Sequence, residues 1–284
     1  VVARIGAGQE GTGGQPGTSA PPVALSQASM PDREATMTAA HDIRVEHSRK
    51  RVRILLAGEL VADTTSPLLV WEVPYYPTYY VPADDVRAKL VPAGADTHEL
   101  LGEAEVLTVA VPGGPTAERA ARRYPASPAR QLQDAVRFEW DAMSEWLEED
   151  EPVYTHARDP HTRVDILASS RHVRVEIDGV TVADSRSPRI LFETGLPPRY
   201  YVPLPDIRTD LLRPSDSETH CPYKGAASYW SVDTGTSVHE DIVWIYRTPL
   251  PESQKIAGLA AFYDEKVDVF VDDVPQRRPQ TKFS

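Results

Sequence analysis

The chain is poor in cysteine: Cys221 is the single thiol in 284 residues. One thiol excludes an intrachain disulfide, and it excludes a Cys-rich zinc site, which needs several thiolates or imidazoles at suitable spacing. A disulfide-free chain suits a reducing compartment, so a cytoplasmic location is expected. Basic charge is also scarce. Thirty Lys and Arg stand against 42 Asp and Glu, a net charge of −12. Phosphate binding needs a concentrated basic face, so no nucleic-acid partner is expected. The short run "SRKR" at 48–51 reads as a solvated edge. No stretch approaches the ~18 apolar residues of a membrane span, so no membrane partner is expected either.

What is present is a repeat. Residues 52–90, "VRILLAGELVADTTSPLLVWEVPYYPTYYVPADDVRAKL", align without a gap on 173–211, "VRVEIDGVTVADSRSPRILFETGLPPRYYVPLPDIRTDL", and 17 of the 39 positions are identical. The chain therefore reads as a tandem duplication. A first copy covers 42–152, a connector 153–161, a second copy 162–275 and a tail 276–284. Residues 1–41 are rich in Gly, Pro, Ser and Ala without apolar periodicity, so disorder is expected there. They lack the basic start and apolar run of a secretory signal, and Met37 or Met30 is expected as the true start.

Each copy reads as strands. "VRVEID" and "VTVADS" alternate with a period of two around the turn signal Asp178-Gly179, matched in the first copy by Ala57-Gly58. The two prolines of "RYYVPLPDIR" suggest an edge or bulged strand. "ASYWSV" turns at 233–235 into "VHEDIVWIYR", and "KVDVFV" is a last strand. Only 115–124 and 129–146 permit helix, and the second could equally match the final strand region. The fold class is thus mainly β: two small antiparallel β domains, tent- or barrel-like, packed as a pseudo-dimer. Asp206 and Arg208, two apart on an extended segment, are expected to pair.

The copies diverge at one place. The second has "SDSETHCPYKGAASYWSV" where the first has "AGADTHELLGEAEVLTV". His98 matches His220, but the Cys-Pro-Tyr-Lys segment has no counterpart. A fold that survives without a segment does not need it for folding, so 220–230 is the candidate site and the first copy a degenerate scaffold. "RYYVPLPDIRTDLL", "THCPYKGAASYW", "EDIVWIY" and "IAGLAAFYDEKVD" closely resemble the bacterial family known as domain of unknown function 427, in its actinobacterial tandem form. The resemblance spans about 42–284 and implies a compact, mostly β domain akin to the β-tent folds. Many β-tent relatives carry a four-cysteine zinc site, which one cysteine cannot form, and the family also bears a nucleotidyltransferase-like label.

Two chemistries are open at this site. As a binding wall, Tyr201, Tyr223, Tyr229, Trp230, Trp244 and Tyr263 supply aromatic faces. Glu193, Arg199, Lys224 and Asp241 add charge, and His220, Cys221 and Ser228 complete the set, the makeup of a small-ligand pocket. The expected ligand is a polar or anionic metabolite. As an enzyme, Cys221 would be a nucleophile with its thiolate favoured by Lys224 or protonated His220. Nucleotidyl or phosphoryl transfer would need acids around a divalent metal, and "GTSVHED" (235–241) lacks the usual Asp-x-Asp spacing. His156 and His161 in the connector could hold a surface ion, but a solvated linker is favoured, and neither a metal nor a cofactor is expected. Beyond the pairing of the two repeats, homo-oligomerisation and a pure assembly role remain open.

Overall fold

A computed structural model describes residues 43–281 and 283–284. The extension before residue 43, with its expected disorder and its candidate starts Met30 and Met37, lies outside the described residues. No helix among the described residues is long and apolar enough to cross a membrane.

The first copy runs β1 (Arg44–His47), β2 (Val52–Leu56), β3 (Glu59–Thr64), β4 (Leu68–Val73), β5 (Tyr76–Pro82), β6 (Lys89–His98), β7 (Gly102–Ala110), β8 (Thr116–Arg123), β9 (Ala135–Phe138), β10 (Glu145–Glu148) and β11 (Glu151–Pro152). The second repeats this order with β12 (Val164–Ala168), β13 (Val173–Ile177), β14 (Val180–Ser185), β15 (Arg189–Glu193), β16 (Arg199–Pro203), β17 (Leu212–Cys221), β18 (Gly225–Asp233), β19 (Val238–Ile245), β20 (Leu259–Phe262), β21 (Asp268–Val271) and β22 (Val274–Pro275). The topologies match strand for strand. A seven-stranded sheet, β1-β4-β5-β9-β8-β7-β6, accompanies a four-stranded one, β11-β10-β2-β3; the second copy has β12-β15-β16-β20-β19-β18-β17 and β14-β13-β21-β22. Pairing is antiparallel and the sheets stay open, so no barrel closes.

Period-two alternation sets the layers. In β13 the pattern Val173, Val175, Ile177 is buried while Arg174 and Glu176 are half-buried. The β2–β3 and β13–β14 hairpins turn on Ala57-Gly58 and Asp178-Gly179, each pair with positive φ throughout, as a two-residue turn matching strand twist requires. One core lies between the two sheets of each copy, around Val52, Ile54, Trp71 and Trp146 in the first and around Val173, Val175, Val243 and Phe262 in the second. A further apolar layer covers the other face of each large sheet, around Val70, Tyr80 and Leu132 in the first copy and around Leu191, Tyr201, Trp244 and Ile256 in the second.

Several sequence expectations need correction. The helix-permitting segment 115–124 is strand β8, because Ala120 and Ala121 are fully buried small residues in a sheet; 129–146 is β9 and β10 with short 3-10 turns. The strand with the prolines is interior, not an edge: β16 lies between β15 and β20, and Pro203 ends it. Asp206 does not pair with Arg208. It accepts a hydrogen bond from Ser185 Oγ at 2.6 Å, while Arg208 makes two hydrogen bonds to Asp210 at 2.7 and 2.8 Å.

The connector is not a solvated linker. His156 stacks on Tyr76, ring centroids 4.2 Å apart, and meets Tyr223 edge-on. Trp71 Nε1 donates to Asp159 Oδ2 at 2.9 Å, and the Asp159 N–H donates to the Tyr223 hydroxyl at 2.8 Å. His161 Nε2 lies 2.9 Å from Glu46 Oε2. Asp159 thus joins β4 of one copy to the 221–225 turn of the other.

Candidate functional site

The site grows from the end of β17. Cys221 pairs with Gly225 across a tight turn in which the Lys224 N–H donates to the Cys221 carbonyl at 3.3 Å. Gly225 has φ +94, and a Cβ there would meet the backbone of Thr248 and Leu250 at 3.6 Å. Leu250 N–H donates to the Lys224 carbonyl and Ser253 Oγ to the Tyr223 carbonyl, so the turn is held from outside. This directs the Lys224 side chain inward, where Nζ donates to Glu193 Oε2 at 2.5 Å; both side chains are only 11% exposed. Burial alone would weaken the Lys224 cation, but Cys221, Glu193 and Tyr201 around it outweigh that and hold its pKa above the ordinary lysine value.

An aromatic layer adjoins this pair. Trp244 Nε1 donates to the Tyr201 hydroxyl at 3.1 Å, and the rings meet edge-on. Trp244 and Tyr263 are 4.7 Å apart, and the Tyr229 hydroxyl lies 2.8 Å from Thr219 Oγ1 and 3.4 Å from that of Tyr263. Burial pushes Tyr201 up to about 12, with Lys224 opposing. Cys221, partly exposed, packs at the margin of this cluster. On its far side Arg199 grips Glu265 through both guanidinium Nη atoms, and its guanidinium carbon lies 5.7 Å from the Trp244 ring centre. Asp264 is 3.6 Å from Arg199. Its burial pushes its pKa up to about 7, Arg199 pulling it down and Glu265 pushing it further up. Lys224, Arg199, Asp264 and Glu265 are all buried, and among the described residues Glu148 is the remaining buried charge.

The structure therefore brings together Glu193, Arg199, Tyr201, Cys221, Lys224, Tyr229, Trp244 and Tyr263. It separates the others. His220 faces away from Cys221: its ring packs 5.1 Å from Tyr154 and its carbonyl accepts a hydrogen bond from Thr155. Ser228 and Trp230 lie on the opposite face of β18 from Tyr229, Trp230 packing on the inter-sheet core. Tyr223 anchors the connector. Asp241 sits at a bulge with φ +50, accepts from Ser217 Oγ at 2.6 Å, and lines a different, open cleft of about 490 Å³ with Pro214, Ser215 and Glu240. Among the described residues no group of three or more His, Cys, Asp or Glu is placed to hold a metal ion.

Strand register corrects the comparison of the two copies. His98 pairs with Gly102 as Cys221 pairs with Gly225, so His98 corresponds to Cys221 and not to His220. The turn Thr209–Leu211 adds two residues, changing the offset from 121 to 221 − 98 = 123. Lys224 then stands where the first copy has Leu101, fully buried. Trp244 stands at Arg122, Ala261 at Arg137 and Tyr263 at Glu139. The shared Glu72 is there satisfied differently, accepting from Tyr80 Oη and Arg137 Nε, each at 2.9 Å. Sequence reading named neither Tyr246, Asp264 and Glu265 of the second copy nor any of this first-copy cluster as site residues. Tyr124 and Tyr246, which follow the matched strands β8 and β19, were a usable signal.

This is a tandem of two-sheet antiparallel β domains, each with charged side chains gathered on one face of its large sheet. A family model described as domain of unknown function (DUF427) matches residues 44–149 and again 165–273. The chain belongs to that family, in two copies. A comparison with curated proteins gives no match.

Proposed function

We propose that the chain is a small-molecule-binding protein whose second copy holds a polar or anionic metabolite beside the Cys221–Gly225 turn. The observation that carries this reading is the concentration of buried charge at one place. Buried ion pairs contribute little to net stability, because desolvation offsets their attraction. The first copy keeps the same topology with Leu101 in place of Lys224, so the fold has no need of that cation. Perturbed, buried charges gathered against aromatic faces are a feature of functional sites.

In this reading Lys224 exchanges Glu193 for an acidic group of the ligand, and Trp244 and Tyr263 stack on its flat or apolar part. Cys221 and Tyr263, both partly exposed, form the rim. A second reading, thiol chemistry, has one specific support: Cys221 is partly exposed at the margin of the aromatic cluster and next to the Lys224 cation, the kind of electropositive setting in which reactive thiols are found.

The test is a thermal-shift screen of carboxylated and phosphorylated metabolites against the wild type and the double variant Lys224→Met/Glu193→Leu, which removes both charges together. Saturable stabilisation of the wild type, lost in the variant, is expected. A screen in which no compound raises the melting temperature of the wild type would count against binding. Turnover lost in Cys221→Ser would favour the enzyme.

A further inference from the structure

We infer that the first copy carries a second, separate binding site, and that it takes a small zwitterion of the α-amino acid class. The place is equivalent to the Lys224 site, but the chemistry has diverged. A cleft of about 220 Å³ opens on the large sheet between the ends of β4, β6, β8 and β9. That is below the ~300–1,000 Å³ of pockets for drug-sized ligands, so its occupant is small.

Its charges are already cross-linked into a frame. Arg137 donates through Nε to Glu72 at 2.9 Å and through Nη1 to Glu139 at 2.6 Å. Arg122 pairs with the same Glu139 and with Asp96, the latter at 3.3 Å. Two guanidinium groups linked through one carboxylate keep fixed orientations, which is the preorganisation a binding site needs.

Three donors in this frame make no hydrogen bond within the described residues. Tyr124 is 2% exposed and lines the cleft, yet its hydroxyl makes no hydrogen bond within the described residues. The hydroxyl opens onto the cleft, where it can donate to an acceptor on an occupant. His98 accepts the Leu100 N–H at Nδ1, 3.2 Å, which puts the neutral ring's proton on Nε2. That Nε2 stands 4.0 Å from Glu72 Oε2, beyond hydrogen-bond reach. Arg122 Nε is the third.

Donor inventory and charge together select the ligand. Free donors call for an acidic group, a carboxylate in the simplest case. The frame itself counts Glu72, Asp96 and Glu139 against Arg122 and Arg137, a formal −1 among these five side chains, which disfavours a bare anion. A ligand carrying an ammonium as well as a carboxylate meets both conditions, its cation turned to Glu72 Oε2 and its anion to Tyr124, His98 and Arg122. This inference is independent of the second-copy site.

The experiment is calorimetric titration of the full chain with each of the twenty common L-amino acids, and with the N-acetyl and amide derivatives of any that bind. Saturable binding is expected, with both derivatives failing. Tyr124→Phe removes a hydroxyl that has no hydrogen-bond partner among the described residues, so its melting temperature should match the wild type while affinity falls roughly 10- to 100-fold. The Lys224→Met/Glu193→Leu variant should bind as the wild type does, which separates this site from the other. The inference is overturned if no amino acid binds, if either derivative binds equally well, if Tyr124→Phe leaves affinity unchanged, or if the second-copy variant abolishes binding.

Discussion

Removing the Lys224 ammonium alone should be far more damaging than removing it together with its partner. Glu193 is 11% exposed, and Lys224 Nζ is the hydrogen-bond donor it has among the described residues. In Lys224→Met the carboxylate stays buried with nothing to offset its desolvation, a loss of about 3–5 kcal/mol. The apolar replacement of both partners, Lys224→Met/Glu193→Leu, removes the charge and keeps the volume. Such replacements of buried pairs are neutral or stabilising by about 1–4 kcal/mol. The first copy manages the same place by another route: Leu101 replaces the lysine, and Glu72 is satisfied by Tyr80 and Arg137. Guanidinium unfolding followed by circular dichroism, run on wild type, both single variants and the double, gives the coupling energy directly. A Lys224→Met cost under about 1 kcal/mol, or a double variant as unstable as the single, would refute this account of the pair.

Other consequences are accessible by the same means. Asp264 keeps its proton in the fold up to about pH 7, against roughly 3.9 in the unfolded chain. The folded state therefore binds more protons between about pH 4 and 7, and stability from this group falls as pH rises through that window, by up to about 4 kcal/mol. Asp264→Asn should remove that slope, gaining on the wild type at pH 8 relative to pH 5; parallel profiles would contradict it. Tyr223→Phe deprives the Asp159 N–H of its acceptor, so stability should drop by about 1 kcal/mol and proteolysis within 153–161 should accelerate. Ala57 holds φ +49 in its hairpin turn, where Asn is better tolerated. Ala57→Asn should stabilise by roughly 0.5–1 kcal/mol, measured by the denaturation midpoint.

Much of the fold was legible because the duplication supplies its own alignment. Turn residues, alternating strands and the divergent 219–230 segment all stand out once 52–90 is laid over 173–211. What misled was local chemistry overruled by packing. "TAERAARR" has helical propensity, but its alanines fill the narrow space under a sheet, where tertiary burial decides. The prolines of β16 suggested an edge, yet Pro203 ends the strand and needs no ladder donor there. At the site, alternation could have separated Ser228 and Trp230 from Tyr229, since neighbours on a strand face opposite sides. The two-residue insertion at Thr209–Leu211 was invisible to a gapless comparison, and it hid the match between His98 and Cys221. The buried acids Asp264 and Glu265 carry no spacing signal, because they meet Arg199 from the turn between β20 and β21, far along the chain.

The most direct measurement of the central proposal is ligand-induced stabilisation at the Lys224 site. The wild type and Lys224→Met/Glu193→Leu are melted side by side across graded concentrations of carboxylated and phosphorylated metabolites. Ligand binding to the native state should raise the wild-type melting temperature in proportion to the logarithm of free ligand above its Kd, and leave the double variant unmoved. Equal shifts in both proteins, or none in the wild type with any compound, would contradict a metabolite site at the Cys221–Gly225 turn.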